Sequence, residues 1–387
     1  MSLVTNTILE RINSLIVVVN SEGKIEYVSP SAKRILGFEP EQLLGEGWWN
    51  LTRDDKKERR KIRELIKTQI AQKALLETIP QERMLKTANG ANKWILWNTS
   101  KGLFNKLVAI GHDITDRKNA ELNLLLKHKL LEQQNLEILA SIRYARRIQE
   151  SILPDKNKIA SAFADAFVLY QPKDVVSGDF YFFHQRGSKT FMIAVDCTGH
   201  GVPGALMTML ANSILKEVIV TRGIEEPAEI LYAIDRELYI ELNKDDGRDI
   251  SRDGMDVAVT VTDSETKTLQ YAGAFRPMLL LRGQEIFEFE ANRFPIGFYG
   301  DTEKVFTSHK FQMETGDAFY LFTDGFCDQF GGEQKKKFNR KRFKELLLSV
   351  QSMSFDEQES FLQYALLNWR QDEPQVDDVL VVGIKIG

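Results

Sequence analysis

The sequence predicts an α+β protein built from three segments, with boundaries at residues 1–117, 118–154 and 155–387. The first segment combines short strand and turn signals with short helices. The second has no glycine or proline before Pro154, which predicts one continuous helix. The third alternates short β-branched strands with amphipathic helices. This order predicts two globular domains that are joined by a helical linker.

Composition restricts the class of protein. At 387 residues the chain is long enough for two or three domains of about 150 residues each. A formal net charge of −4 gives no general attraction to nucleic acid or anionic lipid. Two cysteines, Cys197 and Cys327, exclude a disulfide framework and indicate a reducing compartment. The first residues lack the pattern of a signal peptide, and no uncharged apolar run approaches the roughly 18 residues of a membrane helix. We therefore expect a cytoplasmic protein.

The first segment has the turn signals of a small mixed domain. Residues 15–19 and 24–28 are strand-like and are separated by a turn around Gly23. Short helices are predicted near residues 32–36, 40–44 and 55–72, and Gly37 ends the first of them. Three more strands are predicted at residues 82–87, 94–101 and 106–114, and Asn89-Gly90 between the first two is a strong hairpin signal.

This order of two strands, short helices and three strands resembles the PAS fold. The stretches VVVNSEGKIEYVSPSAKRILGFEPEQLLGE and GHDITDRKNAE carry the resemblance. It implies a sensor domain but leaves the PAS ligand, if any, unidentified. No cysteine precedes Cys197, so a flavin-cysteinyl light sensor is excluded. His112 is interpreted as an ordinary strand histidine rather than a haem ligand. Four tryptophans either fill the core or line a pocket, namely Trp48, Trp49, Trp94 and Trp97.

The second segment has an apolar residue every seven positions, the spacing of a coiled-coil seam. These positions are Leu124, Leu131, Ile138, Ala145 and Ile152. The positions between them are mixed, namely His128, Asn135, Ile142 and Gln149. We favour a parallel dimeric coiled coil that relays a signal. The alternative is a single helix packed on its own domain.

The third segment places aspartates at the ends of apolar strands. They are Asp179, Asp196, Asp324, Asp377 and Asp378. Clustered carboxylates repel each other unless cations neutralise them, and oxygen-only ligands suit Mg²⁺ or Mn²⁺ rather than zinc. Each aspartate alone has an alternative interpretation as a turn or cap residue. Together they predict a site for divalent metal ions.

Five motifs in the third segment resemble PPM-type phosphatases, in the order SGDFYFF, AVDCTGHGVPGALMTML, GMDVAVTV, YLFTDGFCDQFG and VDDVLVVGI. The bacterial SpoIIE/RsbU-like branch is the most similar, over residues 140–387. The resemblance implies a sandwich of two antiparallel sheets flanked by helices. It also implies a protein serine/threonine phosphatase that uses two Mn²⁺ or Mg²⁺ ions.

The resemblance also implies a role for individual residues. Asp196 would bridge the two ions, and the backbone carbonyl of Cys197 would complete the shell of the first. The second ion would be held by Asp179, Asp324 and one of Asp377 or Asp378. We prefer Asp377, because the eukaryotic counterpart of this pair is Asp-Asn with its first residue ligating.

Two further residues have open roles. His200 is either a general acid for the leaving serine or a residue that shapes the turn before Pro203. Lys173 either contacts phosphate or is a surface lysine.

The implied substrate is a phosphoserine or phosphothreonine on an anti-anti-sigma (STAS) protein in a partner-switching pathway. A homodimer formed by the PAS segment and the coiled coil would control the helix over residues 203–220. The alternative function is a catalytically inactive, PAS-regulated scaffold that binds phosphoproteins. A histidine kinase is disfavoured, because no glycine-rich ATP-lid motif follows His128.

Overall fold

The structure is a computed structural model that describes residues 13–71, 80–101, 106–243, 252–297 and 303–387. The chain divides into two compact units, Met1–Asn135 and Leu136–Gly387. The N-terminal stretch 1–12 and position 72, at the end of a predicted helix, lie outside the described residues.

The N-terminal unit is a five-stranded antiparallel sheet with short helices inserted after its first two strands. The strands are β1 (Ser14–Val19), β2 (Ile25–Val28), β3 (Gln81–Lys86), β4 (Asn92–Lys101) and β5 (Leu107–Asp113), in the order β2-β1-β5-β4-β3. The helices are α1 (Ser31–Leu36), a 3₁₀ turn (Pro40–Leu43), α2 (Gly47–Leu51) and α3 (Lys56–Ala71). The predicted order of elements is confirmed.

Two turns follow from glycines in the left-handed backbone region, which other residues rarely adopt. Gly37 has φ of 79° and ends α1. Gly90 has φ of 83° between β3 and β4, where the Thr87 N–H donates to the Ala91 carbonyl oxygen at 2.8 Å. Both positions agree with the turns predicted from the sequence.

The interior of this unit is closed by aromatic side chains. Trp48 and Trp97 pack edge to face with ring centroids 5.7 Å apart, and both are buried together with Trp49. His112 Nδ1 lies 2.9 Å from the Ser14 hydroxyl on the adjacent strand. These tryptophans therefore fill the core, and His112 has the environment of an ordinary strand histidine.

A single helix, α4 (Thr115–Ile152), follows the sheet. It starts where the Thr115 N–H donates to the Asp113 carboxylate at 3.0 Å. Leu124 is 71% exposed, and Leu131 and Ile138 are also exposed. The continuous helix is therefore as predicted, and these three heptad residues are not buried by any other part of the described chain.

The C-terminal unit contains two large antiparallel sheets. The strands of the first are β7 (Asp179–Arg186), β8 (Lys189–Cys197), β9 (Gly254–Asp263), β10 (Thr268–Ala274), β13 (Ile296–Gly297) and β14 (His309–Gln312). The strands of the second are β6 (Asp165–Gln171), β11 (Met278–Arg282), β12 (Glu285–Phe289), β15 (Ala318–Phe322) and β18 (Val379–Lys385). Their orders are β14-β10-β9-β8-β7, with β13 beside β9, and β12-β11-β15-β18-β6. A small ribbon pairs β16 (Phe330–Gly331) with β17 (Lys336–Lys337).

Helices cover both sheets of this unit. They are α5 (Lys156–Ala162), α6 (Gly201–Leu215), α7 (Pro227–Leu242), α8 (Gly325–Asp328), α9 (Asn339–Val350) and α10 (Phe355–Arg370). One apolar cluster joins Met192 of the first sheet to Phe319 and Val382 of the second. Separate clusters join the first sheet to α6 and α7, and the second to α9 and α10. The predicted α/β sandwich is confirmed.

Helix α6 continues as a π-helix over Lys216–Thr221. Within the described part of the chain, the stretch Gly201–Thr221 alone is long and apolar enough to cross a membrane, and half of it is buried. Leu215, Val218 and Ile219 are fully buried in the cluster beneath the first sheet. This stretch therefore packs as a core helix of the unit.

Candidate active site

A row of three aspartates crosses neighbouring strands of the first sheet. Asp179 of β7 is opposite Asp196 of β8, and Asp196 is opposite Asp256 of β9. Directly opposed residues point to the same face with Cβ atoms about 5 Å apart. Like charges at this spacing are destabilising, so the row requires a cation.

Arg276 supplies a cation to this cluster. Its Nη2 lies 3.0 Å from Asp196 Oδ2, 2.7 Å from Asp256 Oδ2 and 2.8 Å from Asp324 Oδ2. The residue is only 9% exposed. Burial alone would lower the pKa of Arg276, but the carboxylates of Asp196, Asp324 and Asp256 raise it above its usual value. The site is therefore a buried ion cluster of one guanidinium and three carboxylates.

Sequence reasoning missed two members of this cluster, Asp256 and Arg276. Asp256 lies in the GMDVAVTV motif and precedes an apolar run, as Asp179 and Asp378 do. Arg276 is a lone charge between the apolar runs of β10 and β11. Both residues are visible in the sequence as charges beside apolar runs. The sequence does not show with which carboxylates the arginine forms ion pairs.

Close backbone approach brings the second sheet to the same place. A Cβ on Gly325 would lie 1.9 Å from the Asp378 carbonyl oxygen, so this position requires glycine. Thr323, at the end of β15, donates its hydroxyl to Asp179 Oδ2 at 2.6 Å. The ends of β15 and β18 are thus held against Asp179, with Asp324 at the junction.

The adjacent pair Asp377 and Asp378 differ in their hydrogen bonding. Asp378 is buried, and its two carboxylate oxygens accept the backbone N–H groups of Lys173 and Gly178, each at 2.7 Å. Asp377 Oδ1 accepts the Asp378 N–H at 2.9 Å. Asp378 therefore holds two backbone segments together, while Asp377 keeps an oxygen for another partner.

These groups open into a cleft of about 320 Å³. The predicted site residues that line it are Asp196, Cys197, His200, Asp324, Asp377 and Asp378, and Asp256 joins them. Asp179 is buried behind the cleft, and the Lys173 side chain is not among the described lining residues. Burial raises the pKa of the Cys197 thiol well above its usual value, so the thiol does not readily become a metal-binding thiolate. The backbone carbonyl is the oxygen donor of this residue.

Burial also sets the protonation of the carboxylates. Burial, followed by repulsion from Asp196, raises the pKa of Asp179 well above its usual range. Burial raises the pKa of Asp196 to about 7, although Arg276 opposes the shift. The pKa values of Asp256 and Asp377 are raised by burial as well. A nearby cation opposes shifts of this kind, because it stabilises the ionised carboxylates.

A histidine–aspartate pair lies at the rim of the cleft. His200 Nδ1 is 2.8 Å from Asp174 Oδ2, and both side chains are about half exposed. Asp174 follows Lys173, whose backbone is bound to Asp378. The pairing orients the imidazole and was not expected from the sequence.

One side chain of α4 reaches the loop that carries Asp179. Gln149 is 3% exposed, and its amide nitrogen donates to the Ser177 carbonyl at 2.7 Å and to the Thr208 hydroxyl at 2.9 Å. Its amide oxygen accepts the Ser177 N–H at 3.1 Å. Thr208 lies on α6, so Gln149 joins the linker helix, the Asp179 loop and α6. This contact explains a polar residue at a heptad position.

The donor set fits divalent metal ions. In the described ranges, no group of three or more Asp, Glu, His or Cys residues is already arranged around one metal position. Arg276, Thr323 and backbone N–H groups bind carboxylate oxygens of this set. Carboxylate and carbonyl oxygens nevertheless converge on one cleft, and these are the ligands that Mg²⁺ and Mn²⁺ prefer.

The sandwich with acidic strand ends defines a PPM-type (PP2C-type) phosphatase domain. Residues 186–387 match the family described as Stage II sporulation protein E (SpoIIE), and residues 13–116 match a PAS domain. Because the first match spans more than half of the chain, this protein belongs to the SpoIIE family of PPM-type serine/threonine phosphatases, with an N-terminal PAS domain. The predicted family is confirmed.

Two relatives illustrate the similarity. The SiaA-PP2C domain of Pseudomonas aeruginosa is 33% identical and has a TM-score of 0.60, covering 66% of this chain and 99% of that domain. Phosphoserine phosphatase RsbP of Bacillus subtilis (strain 168) is 26% identical over 200 residues, which are 51% of this chain and 47% of RsbP. The match therefore spans about half the length of that curated relative.

Proposed function

We propose that this chain hydrolyses phosphoserine or phosphothreonine on a protein, with two divalent metal ions in the carboxylate cleft. The observation that carries the proposal is the in-register row Asp179, Asp196 and Asp256, which meets Asp324 at the edge of the sandwich. Stability alone does not favour three carboxylates around one buried cation, whereas metal binding requires such a set. The PPM family is metal-dependent, which supports this interpretation.

The residues have distinct proposed roles. Asp196 lies at the centre of the row and would bridge the two ions, with the Cys197 carbonyl beside it. Asp179 and Asp324 would hold the second ion with Asp377, which the hydrogen bonding of Asp378 favours as the ligating member of the pair. When bound, Mn²⁺ or Mg²⁺ would lower the pKa of a water and neutralise the phosphoryl oxygens.

His200 is the proposed general acid for the leaving serine or threonine oxygen. Its Nδ1 is engaged by Asp174, which leaves Nε2 to carry a proton toward the cleft. Lys173 has its backbone N–H on Asp378, and its charge lowers the pKa of Asp377 against the effect of burial. Lys173 would therefore act on the phosphate by electrostatic attraction at a distance.

We propose a STAS-type anti-anti-sigma protein as the substrate, in a partner-switching pathway in the cytoplasm. The name of RsbP as a phosphoserine phosphatase supports the phosphorylated side chain. The proposed domains are a PAS sensor at 1–117, a helical linker at 118–154 and the phosphatase at 155–387.

Regulation is proposed to pass through α4 as a dimeric coiled coil. The exposed heptad residues Leu124, Leu131 and Ile138 would be buried by a second copy. At the other end of the helix, Gln149 binds the Asp179 loop and α6. A change in the pose of α4 would therefore move a metal-binding loop directly.

The test is Mn²⁺-dependent hydrolysis of p-nitrophenyl phosphate by the purified chain. Asp196→Asn should abolish turnover, and Asp263→Asn, at the opposite end of strand β9 from Asp256, is the matched control that should retain it. Turnover that appears only after removal of residues 1–117 would mean that the PAS domain inhibits the enzyme. If neither form hydrolyses the substrate but both bind a phosphoprotein, the result would favour an inactive scaffold instead.

A further inference from the structure

Arg276 is held in the carboxylate cluster by a fixed backbone. The Tyr271 hydroxyl donates to the Arg276 carbonyl oxygen at 2.6 Å, and the Arg276 N–H donates to the Ala274 carbonyl at 2.7 Å. The preceding Phe275 has φ of 57°, a strained conformation for a phenylalanine. Such a backbone aims the guanidinium into the site and restricts movement to the side chain.

The guanidinium has room and capacity for another partner. Its Nε is buried without a hydrogen-bond partner among the described residues, although Nη2 makes three ion pairs. Arg276 lines a neighbouring cleft of about 470 Å³, which shares Asp256 and Asp324 with the first cleft. The side chain therefore faces this second cleft and is bound to the two aspartates that both clefts share.

Divalent metal ions and this guanidinium compete for the same oxygens. Asp196 and Asp324 are proposed metal ligands, and both are within 3.0 Å of Arg276 Nη2. A dication at such oxygens would repel the guanidinium strongly in a buried setting. Asp256 is not a proposed metal ligand and would remain an ion-pair partner of Arg276, and the phosphoryl group of the substrate would be a second anion for the guanidinium. A planar guanidinium is well suited to bind it through two parallel hydrogen bonds.

We propose that Arg276 is a built-in counter-cation that divalent metal displaces, and that the released guanidinium binds the substrate phosphoryl group. This inference rests on the proposed phosphatase function and deepens it. It predicts opposite effects on two ligands, because removal of Arg276 frees the carboxylates for metal and removes a donor to phosphate. A purely structural arginine would not produce this pair of effects.

The experiment measures binding rather than turnover. Mn²⁺ is titrated calorimetrically into the metal-free full chain, and inorganic phosphate is then titrated into the Mn²⁺-loaded chain. Arg276→Ala removes the cation, and Arg276→Lys keeps the charge but loses the planar fork. Arg236→Ala, an exposed arginine on α7, is the matched control.

We expect Arg276→Ala to bind Mn²⁺ about tenfold or more tightly than wild type and phosphate about tenfold or more weakly, the scale of charge-assisted hydrogen bonds. Arg276→Lys should bind Mn²⁺ like wild type but lose phosphate affinity, and it tests the proposal even if the alanine variant fails to fold without metal. Unchanged or weaker Mn²⁺ binding by Arg276→Ala overturns the proposal, as does unchanged phosphate binding. A wild-type chain that binds neither ligand would instead overturn the phosphatase function.

Discussion

Replacing Gln149 with alanine tests whether α4 holds the Asp179 loop. The Gln149 side chain makes three hydrogen bonds, two with the backbone of Ser177 and one with the Thr208 hydroxyl. Alanine removes all three bonds, and the buried Ser177 N–H and carbonyl lose these hydrogen-bond partners. Ser177 is two residues before Asp179, and the Asp179 N–H donates to the Ser177 hydroxyl at 3.0 Å. A movement of Ser177 would therefore also move Asp179.

The size of the effect follows from the number of bonds. An intramolecular hydrogen bond contributes about 1 kcal/mol net, so three contribute about 3 kcal/mol. That free energy corresponds to about a hundredfold in the equilibrium for local opening of the loop. We therefore expect a large local change, with the remainder of the sandwich unaffected.

Hydrogen exchange measured by mass spectrometry on peptides that cover residues 172–182 reports this opening directly. Gln149→Ala should exchange about a hundredfold faster there than wild type, and Mn²⁺ should bind more weakly because Asp179 moves. Gln134→Ala, an exposed glutamine on the same helix, is the matched control. If the two variants show the same protection over this loop, α4 does not hold it and the proposed route of regulation fails.

Three other predictions concern the carboxylates and the linker. Asp377→Asn should weaken Mn²⁺ binding and leave thermal stability near wild type. Asp378→Asn should lower stability by about 1–3 kcal/mol, because its amide N–H₂ replaces one of the two oxygens that each accept a backbone N–H group. Equal melting temperatures of the two variants would contradict this. Because the pKa of Asp196 is raised to about 7 from 3.8, the metal-free folded state binds more protons than the unfolded state between these values, so stability should fall as pH rises through that window. The fall between pH 5.5 and 7.5 should be smaller in Asp196→Asn, and identical slopes in a thermal melt would refute the assignment. Leu131→Lys should convert the proposed dimer to monomer in light scattering, and an unchanged mass would exclude the coiled coil.

The order of elements was predictable because it depends on local patterns. Strand runs, the Gly37 and Asn89-Gly90 turns and the glycine-free linker each act over a few residues. The observed strands agree with the predicted runs within about two residues, the usual uncertainty of element ends. Family membership was likewise carried by short motifs in a fixed order.

The site was predicted in part. Asp179, Asp196 and Asp324 were recognised because each adjoins an apolar strand, and the structure brings them to one place. Which residue of the Asp377–Asp378 pair stays free depends on two backbone N–H groups about 200 residues away in sequence. No local pattern contains that information.

By itself, the sequence placed aspartates at the ends of apolar strands and indicated a SpoIIE-type phosphatase domain behind a PAS domain. The tertiary structure alone decided that Asp256 stands in register with Asp196, that Arg276 occupies the centre of the carboxylates, and that Gln149 joins the linker to the Asp179 loop. The physical reason is the range of the interactions. Periodicity and turns reflect neighbours along the chain, whereas strand register and buried ion pairs depend on contacts between distant segments that only packing brings together.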